Sequence, residues 1–338
     1  MGKHIICSGC SFTRQEKRIG LDGDSTSFYM DAPNMWRWPH WIQKLYPKKM
    51  VYNIGNPTNG NNLIAVSTIH KVTELLNRGI KPKDIQVFIQ WSEMTRESFY
   101  VSQDTLNFFD VTVDLNHEKD NNACAHTSFF ANKNKNLNKY GHYIISSGME
   151  AYHIKNKWRK YVIDSIEKVQ NMERAVIKHY ESILLIQNFL KQKNIDYLMF
   201  NYPRNYVTYD SNMEQHNGQA YEEYNLTNNY SKKIPKNIFD FKYDNPYIDY
   251  FVKNVDWDKM WFYKDKKTNI GGLIDFAIMN YDFDRDELLF MEHPFEGCKS
   301  AKDVAKFHLK QGSHNMGHIS SQMNKVFVEK ILRKYLEN

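Results

Sequence analysis

Short apolar segments alternate with amphipathic segments of helical period near the start of the chain, and this alternation limits the fold more than any other feature. Residues 3–8 and 50–54 are apolar runs that end just before a glycine, which is typical of buried strands followed by tight turns. Residues 84–90 form a third such run. Helical spacing of apolar residues separates them at 36–45 and 61–79. Strands joined through helices predict right-handed crossovers and a parallel sheet covered on both faces.

The same alternation returns later in the chain. The apolar spacing predicts a long helix from Trp158 to Gln192, a fourth strand over Ile195–Asn201 and a final helix over Ile319–Leu336. The sequence therefore predicts an α/β protein with a mostly parallel sheet.

Two regions interrupt this alternation, although the chain is predicted to form one domain over 1–338. Residues 101–150 contain the Asn/Lys-rich stretch 132–136, which has no periodicity and indicates an exposed insertion. Residues 205–300 are rich in Tyr, Asn and Asp. We interpret them as a second insertion, which forms a cap over the ligand-binding edge of the sheet.

Composition excludes several classes of protein. The 45 Lys and Arg exceed the 39 Asp and Glu by only six charges, with no long basic block, so nucleic-acid binding is disfavoured. No stretch approaches the roughly 20 apolar residues of a membrane-spanning helix, and no secretory signal is evident. Four cysteines are too few for a disulfide framework in 338 residues. We expect a cytoplasmic protein without membrane insertion.

The candidate chemistry lies where the predicted strands end. In parallel α/β sheets, ligands bind beyond the carboxyl ends of the strands. The first three strands end near Ser11, Gly55 and Trp91, so we expect these positions to converge on one crevice. The segment Gly9-Cys10-Ser11-Phe12-Thr13 places a hydroxyl there directly after a glycine turn.

This segment resembles the first block of the SGNH/GDSL hydrolases, usually Gly-Asp-Ser-Phe/Leu, and its Cys variant resembles phage-encoded members. A second block is similar at Asn53-Ile54-Gly55 and Gly60-Asn61-Asn62. The resemblance implies a three-layer α/β/α sandwich with a five-stranded, mostly parallel, flavodoxin-like sheet. It further implies ester or acyl hydrolysis with Ser11 as nucleophile and no cofactor.

The resemblance also nominates the groups that stabilise an oxyanion. The amides of Ser11 and Gly60 are the first candidates and that of Gly55 the next, because a glycine lets the backbone approach the reacting carbonyl. The third block departs from the family, since Gln90-Trp91-Ser92-Glu93 stands where Gly-x-Asn-Asp is usual. Ser92 or Gln90 is then the substitute donor. The candidates for substrate binding are Trp91, Arg96 and Asn62.

A general base is expected just before the final helix. Gly317-His318 resembles the helix-opening pair of the family, which makes His314 the preferred base, with His308 and His318 as alternatives. The family's aspartate three residues before the base is absent, so Asp303 is the candidate that orients the imidazole.

Two metal or redox interpretations are weaker. His314 and His318 are four residues apart with His308 nearby, but a glycine lies between the two and no Glu does, so we predict no metal site. Cys7-x-x-Cys10 follows a buried strand pattern and indicates core cysteines rather than a redox pair.

Three functions remain at this point. The first is a serine esterase or acyl hydrolase acting on a small-molecule or carbohydrate ester, since the aromatic residues of 205–300 suit stacking on sugar rings. The second is a binding protein that keeps the scaffold without the activity, because two family residues are missing. The third, association with nucleic acid, rests only on the net charge of +6 and the aromatic content. The sequence leaves the oligomeric state open.

Overall fold

The structure is a computed structural model. It describes residues 4–10, 13, 36–55, 59–92, 96–102, 104, 141–146, 172–202, 246–264, 271–280 and 319–337.

The described strands are β1 (His4–Ser8), β2 (Met50–Asn53), β3 (Ile85–Trp91), β4 (Glu97–Ser102), β5 (Gly141–Ser146), β6 (Asp196–Asn201) and β7 (Met260–Trp261). The described α-helices are α1 (Trp38–Leu45), α2 (Asn61–Asn77), α3 (Met172–Gln192), α4 (Pro246–Asn254), α5 (Leu273–Asn280), α6 (Ser321–Phe327) and α7 (Arg333–Glu337). A π-helical turn, Val328–Leu332, joins α6 to α7.

The central sheet has five parallel strands in the order β2-β1-β3-β6-β7. The chain crosses from β1 to β2 on one side and then to β3 on the other, so the direction of winding reverses between β1 and β3. Ser8 pairs in register with Ile89 at this point. A reversal of this kind leaves a crevice at the carboxyl ends of the two strands. The predicted α/β class and parallel sheet are confirmed.

Alternate residues of each strand enter two different hydrophobic clusters. Ile6 and Val87 pack with residues of α2, α3 and α4, whereas Ile5 and Phe88 pack with residues of α1, α5 and α6. Both faces of the sheet therefore carry helices. This explains why β1 and β3 are apolar along most of their length rather than alternating with polar residues.

The element boundaries agree closely with the sequence analysis. The first four strands of the central sheet begin and end within one residue of the predicted limits. The long helix is described from Met172 to Gln192, and its predicted first part, 158–171, lies outside the described residues. The final helix begins at Ser321 and contains a π-turn that periodicity did not predict.

The described part of residues 205–300, the predicted cap, contributes to the central sheet and to the helices packed against it. Strand β7 extends the sheet by pairing with β6, and α4 and α5 bury Ile248 and Leu273 in the two clusters. The fifth strand was missed because it is only two residues long. Residues 205–245, 265–270 and 281–300 lie outside the described residues.

Strands β4 and β5 form a separate antiparallel pair, with Glu97 opposite Ser146. The region 101–150, predicted as an insertion without periodicity, thus includes most of this two-stranded ribbon. The Asn/Lys-rich stretch 132–136 lies outside the described residues. No helix in the described ranges is both long enough and apolar enough to cross a membrane.

Candidate functional site

The first two predicted motifs meet at the carboxyl edge of the sheet, which we define by the residues that follow β1, β2 and β3. The Asn59 side chain donates to the carbonyl of Gly9 at 3.4 Å. The Asn53 side chain donates to the carbonyl of Thr13 at 3.0 Å. The amide of Thr13 in turn donates to the Cys10 carbonyl at 2.9 Å, so these two residues lie side by side at the end of β1.

Gly9 is required by the close packing of this turn. A Cβ atom at position 9 would collide with Thr13 Oγ1 and come within 3.1 Å of the Gln90 carbonyl oxygen. Thr13 is buried and cannot swing away, because its hydroxyl is itself hydrogen-bonded. The absence of a side chain at Gly9 therefore lets the end of β1 lie against the end of β3.

The side chain of Gln90 joins the first motif to the third. Its Oε1 accepts from Thr13 Oγ1 at 3.1 Å and from the indole nitrogen of Trp38 at 3.0 Å. Its Nε2 lies 3.8 Å from the Cys10 sulfur. Gln90 is wholly buried, so these partners replace the water that its amide would otherwise bind. The side chain predicted as a substitute oxyanion donor is thus engaged in an internal network.

The start of the final helix reaches the same network. The Trp38 amide donates to Asn324 Oδ1 at 3.0 Å, and Asn324 Nδ2 donates to the carbonyl of Ile319 at 3.0 Å. The Ile319 amide donates to the Tyr202 hydroxyl at 3.1 Å, while the Tyr202 amide donates to the carbonyl of Trp91 at 3.1 Å. The chain therefore enters α6 beside the ends of β3 and β6.

Ser320 begins this helix in the expected manner. Its hydroxyl accepts a hydrogen bond from the Met323 amide at 3.2 Å, which is an N-terminal cap. The Ser320 cap determines the residue at which the helix begins. The contacts of Asn324 and Tyr202 determine where in the fold that end of the helix lies.

The predicted catalytic side chains Ser11, His314 and Asp303, and the alternative bases His308 and His318, lie outside the described residues. Their neighbours in sequence are described. Cys10 and Thr13 flank Ser11, and Ile319 follows His318. The hydrogen bonds above join these neighbours through Gln90, Trp38 and Asn324.

Each of the other amides nominated for an oxyanion site donates to an internal acceptor. The amide of Gly60 donates to Ser98 Oγ at 2.9 Å, and that of Gly55 donates to Asn53 Oδ1 at 3.1 Å. The amide of Ser92 donates to Asn61 Oδ1 at 2.9 Å. A substrate oxygen at any of these amides would have to displace an existing partner.

The residues predicted to bind substrate have other contacts in the structure. The Asn62 side chain accepts from the Ser98 amide at 3.0 Å and donates to the Ser98 carbonyl at 2.6 Å, so it holds β4. The ring of Trp91 is wholly buried and packs at 83° against the ring of His179. The half-buried Arg96 accepts from the Asn61 amide at 3.3 Å through its carbonyl. The Trp91 ring, a candidate for substrate binding, is thus enclosed by the protein at the end of β3.

Sequence reasoning missed His179, a buried residue of α3 that contacts this edge. Its Nδ1 lies 3.0 Å from Asn61 Nδ2, which donates the hydrogen bond. His179 follows Val176 by three positions and precedes Ile183 by four, so its place on the buried face of α3 was visible in the periodicity.

Burial sets the protonation of this imidazole and of a second one. Desolvation lowers the pKa of His179 to about 3, and desolvation together with the Arg37 charge lowers the pKa of His40 to about 3. Both rings are neutral at pH 7. His179 is a poor general base, because its basicity is low and its Nδ1 already accepts from Asn61.

The described cysteines and metal-ligating side chains bear on the two remaining interpretations of the sequence. Cys7 and Cys10 are buried and reduced, and burial raises the pKa of the Cys7 thiol. Within the described ranges, no three His, Cys, Asp or Glu side chains lie close enough to hold a metal ion. His308, His314 and His318 are outside those ranges.

Comparison of the chain with known protein families, with characterised proteins and with solved structures found no match.

Proposed function

We propose that this protein is a serine ester or acyl hydrolase with an SGNH-like three-layer α/β/α fold, in which Ser11 is the nucleophile and His314 the general base. One observation carries the proposal: a continuous hydrogen-bonded path runs from Thr13 through Gln90, Trp38 and Asn324 to Ile319. Its two ends lie two residues from Ser11 and one residue from His318.

The register of the sheet adds support. Ser8 lies opposite Ile89, and Ser11 and Ser92 each follow three residues later. β1 ends at Ser8 and β3 ends at Trp91, so Ser11 and Ser92 each follow the end of one of two neighbouring strands in the sequence. Ligands of open parallel sheets bind at this kind of switch point.

Each nominated group has its own role in the proposed reaction. Ser11 Oγ attacks the carbonyl carbon of the ester while the imidazole of His314 takes its proton. The C–O bond to the alcohol then breaks as the imidazolium protonates the leaving oxygen, which leaves the acyl-serine. Water, deprotonated by the same imidazole, attacks the acyl-serine and releases the acid, and the proton returns to Ser11. Asp303 orients the imidazole. The oxyanion binds the Ser11 amide and the Gly60 amide, and the Gly60 amide becomes available when Ser98 Oγ gives way.

A simple small-molecule ester is the substrate to test first. The aromatic cluster that suggested sugar stacking packs internally in its described part, since Trp261 contacts Phe327 and Phe276 at ring distances of 5.2 and 6.0 Å. Tyr247 and Tyr250 on α4 remain exposed by 70% and 62%. An acylated carbohydrate is therefore a second substrate class within the proposal.

The decisive experiment compares hydrolysis of p-nitrophenyl acetate by the wild type and by Ser11→Ala. We expect the turnover number to fall roughly 10³-fold or more, because the nucleophile is lost. Thr73→Ala, which removes an exposed hydroxyl from α2, is the control and should keep full activity. Equal rates for wild type and Ser11→Ala would exclude the serine mechanism.

The base is identified by three single variants, His314→Ala, His308→Ala and His318→Ala. The proposal expects the largest loss at His314, with folding monitored by circular dichroism. If all three variants keep wild-type turnover, the base is elsewhere and this part of the proposal fails.

A second candidate, a binding protein on the same scaffold, is favoured by one specific observation. The Gly60, Gly55 and Ser92 amides all have internal acceptors, so the described part of the edge has no ready oxyanion site. A fluorophosphonate probe separates the two candidates, since labelling at Ser11 requires an activated hydroxyl. Unlabelled but folded protein supports the binding role.

A further inference from the structure

The Asn61 side chain holds the polypeptide where it leaves β3. Its Oδ1 accepts from the Ser92 amide at 2.9 Å, and its Nδ2 donates to the Ser92 carbonyl at 3.4 Å. Asn61 and Ser92 are both buried, so water does not compete for these groups. One side chain thus fixes both backbone groups of the residue that stands in the third block.

The orientation of that side chain depends on His179. A carboxamide can be turned by 180° with little change in shape, and here the turned form would place Nδ2 against the Ser92 amide, donor to donor. The second hydrogen of Nδ2 points to His179 Nδ1 at 3.0 Å. With Nδ1 as acceptor, His179 adds to the preference of the Ser92 backbone for the orientation in which Oδ1 faces the Ser92 amide.

The ring of His179 is fixed in turn by its own packing. It lies edge-on to Trp91 with ring centroids 5.7 Å apart, and it is 1% exposed. Trp91 immediately precedes Ser92, so one imidazole contacts the end of β3 through its ring and through Asn61. Because burial lowers the pKa of His179 to about 3, the ring stays neutral through the neutral pH range, and the hydrogen bond from Asn61 Nδ2 requires the tautomer in which Nδ1 carries no hydrogen.

We propose that His179 is a positioning residue: by accepting from Asn61 it fixes Ser92 at the end of β3, the strand next to β1. This inference rests on the proposed function for its catalytic consequence. Its structural part, the dependence of the Ser92 backbone on His179, stands on the contacts alone.

The test uses two substitutions at position 179. His179→Phe keeps an aromatic ring against Trp91 but removes the acceptor, whereas His179→Gln supplies a carbonyl oxygen that can accept from Asn61. We expect His179→Phe to lower kcat for p-nitrophenyl acetate about tenfold to a hundredfold with little change in KM, because the substrate still binds but the reacting groups are misplaced. We expect His179→Gln to recover most of that loss. His40→Phe removes another buried histidine and is the control for general destabilisation.

A second readout needs no activity. In His179→Phe, hydrogen exchange of the Ser92 amide should accelerate about tenfold relative to the Ile89 amide in the middle of the paired strands, and His179→Gln should restore it. If wild type and Ser11→Ala show equal activity, the proposed function fails, and this exchange measurement still decides the role of His179. Unchanged exchange at Ser92, or equal acceleration at Ser92 and Ile89, would overturn the inference.

Discussion

The two buried histidines make the stability of this protein sensitive to acid, and the size of the effect follows from their environments. His179 and His40 each have a pKa near 3 in the folded protein against an ordinary value of 6.5. The unfolded chain therefore binds these protons more tightly than the folded protein does. Their contribution to stability is complete above pH 6.5 and is lost progressively as the pH falls from 6.5 toward 3.

Each histidine costs about 1.4 kcal/mol of unfolding free energy for every pH unit below 6.5. At pH 5 the loss is about 2 kcal/mol for each ring and about 4 kcal/mol for both. Domains are typically stable by only about 5–15 kcal/mol, so this loss is a large fraction of the total.

The perturbation is His179→Phe, which removes one of the two titrating groups and keeps a ring in the same space. The variant loses the Asn61 hydrogen bond and is less stable than wild type at pH 7. Its free energy of unfolding should nevertheless depend less on pH. Below pH 6.5 the variant should lose about 1.4 kcal/mol less than wild type for each pH unit. The difference between the two proteins therefore shrinks by about 2 kcal/mol between pH 7 and pH 5.

Urea unfolding followed by tryptophan fluorescence at pH 7, 6 and 5 measures both slopes. His40→Phe should show the same reduction in slope, and the double variant should show the sum, since the rings lie on different faces of the sheet. Parallel pH dependences for wild type and His179→Phe would refute the reasoning, because they would mean that His179 does not remain neutral in the folded protein.

Two further predictions concern packing and charge. Gly9→Ala should lower stability by about 1–3 kcal/mol in urea unfolding, because its Cβ collides with the anchored Thr13 hydroxyl, and a loss below 0.5 kcal/mol would contradict the packing at this turn. Lys71 is wholly buried, with Nζ 3.2 Å from the Glu74 carboxylate and 4.5 Å from the centre of the Tyr52 ring. Glu74→Gln should cost about 3 kcal/mol because it removes the carboxylate that pairs with a buried cation, whereas Lys71→Met should change stability by less than about 1 kcal/mol. The reverse order in thermal or urea unfolding would show that the charge of Lys71 is compensated elsewhere.

The sequence predicted local structure well wherever a single segment carries its own signal. The apolar run of β3 and the spacing of α2 fixed those elements to within two residues at each end. The glycine at position 9 signalled a tight turn, and the structure shows what that glycine avoids. Strand β7 had no such signal, since two residues cannot establish a period.

The edge of the sheet at which β1, β2 and β3 end was predictable, but the contacts made there were not. Gly9, Gly55 and Ser92 lie at one edge because β1, β2 and β3 are parallel. The alternation of strand and helix segments along the sequence predicts parallel strands. The acceptor for the Gly60 amide could not be inferred, because Ser98 lies beyond β3 and reaches Gly60 only after the chain has crossed the sheet. His179 was visible as a buried position on a helix, but its partner was not.

The amino-acid sequence by itself determined the α/β class, the limits of most strands and helices, and the edge at which polar groups collect, because these depend on interactions between residues a few positions apart. Only the tertiary structure decided the strand order, the recruitment of β7 and the pairing of Asn61 with Ser92 and His179. Those contacts join residues separated by tens to more than a hundred positions. Their geometry is set by sheet register and helix packing, which no local pattern encodes.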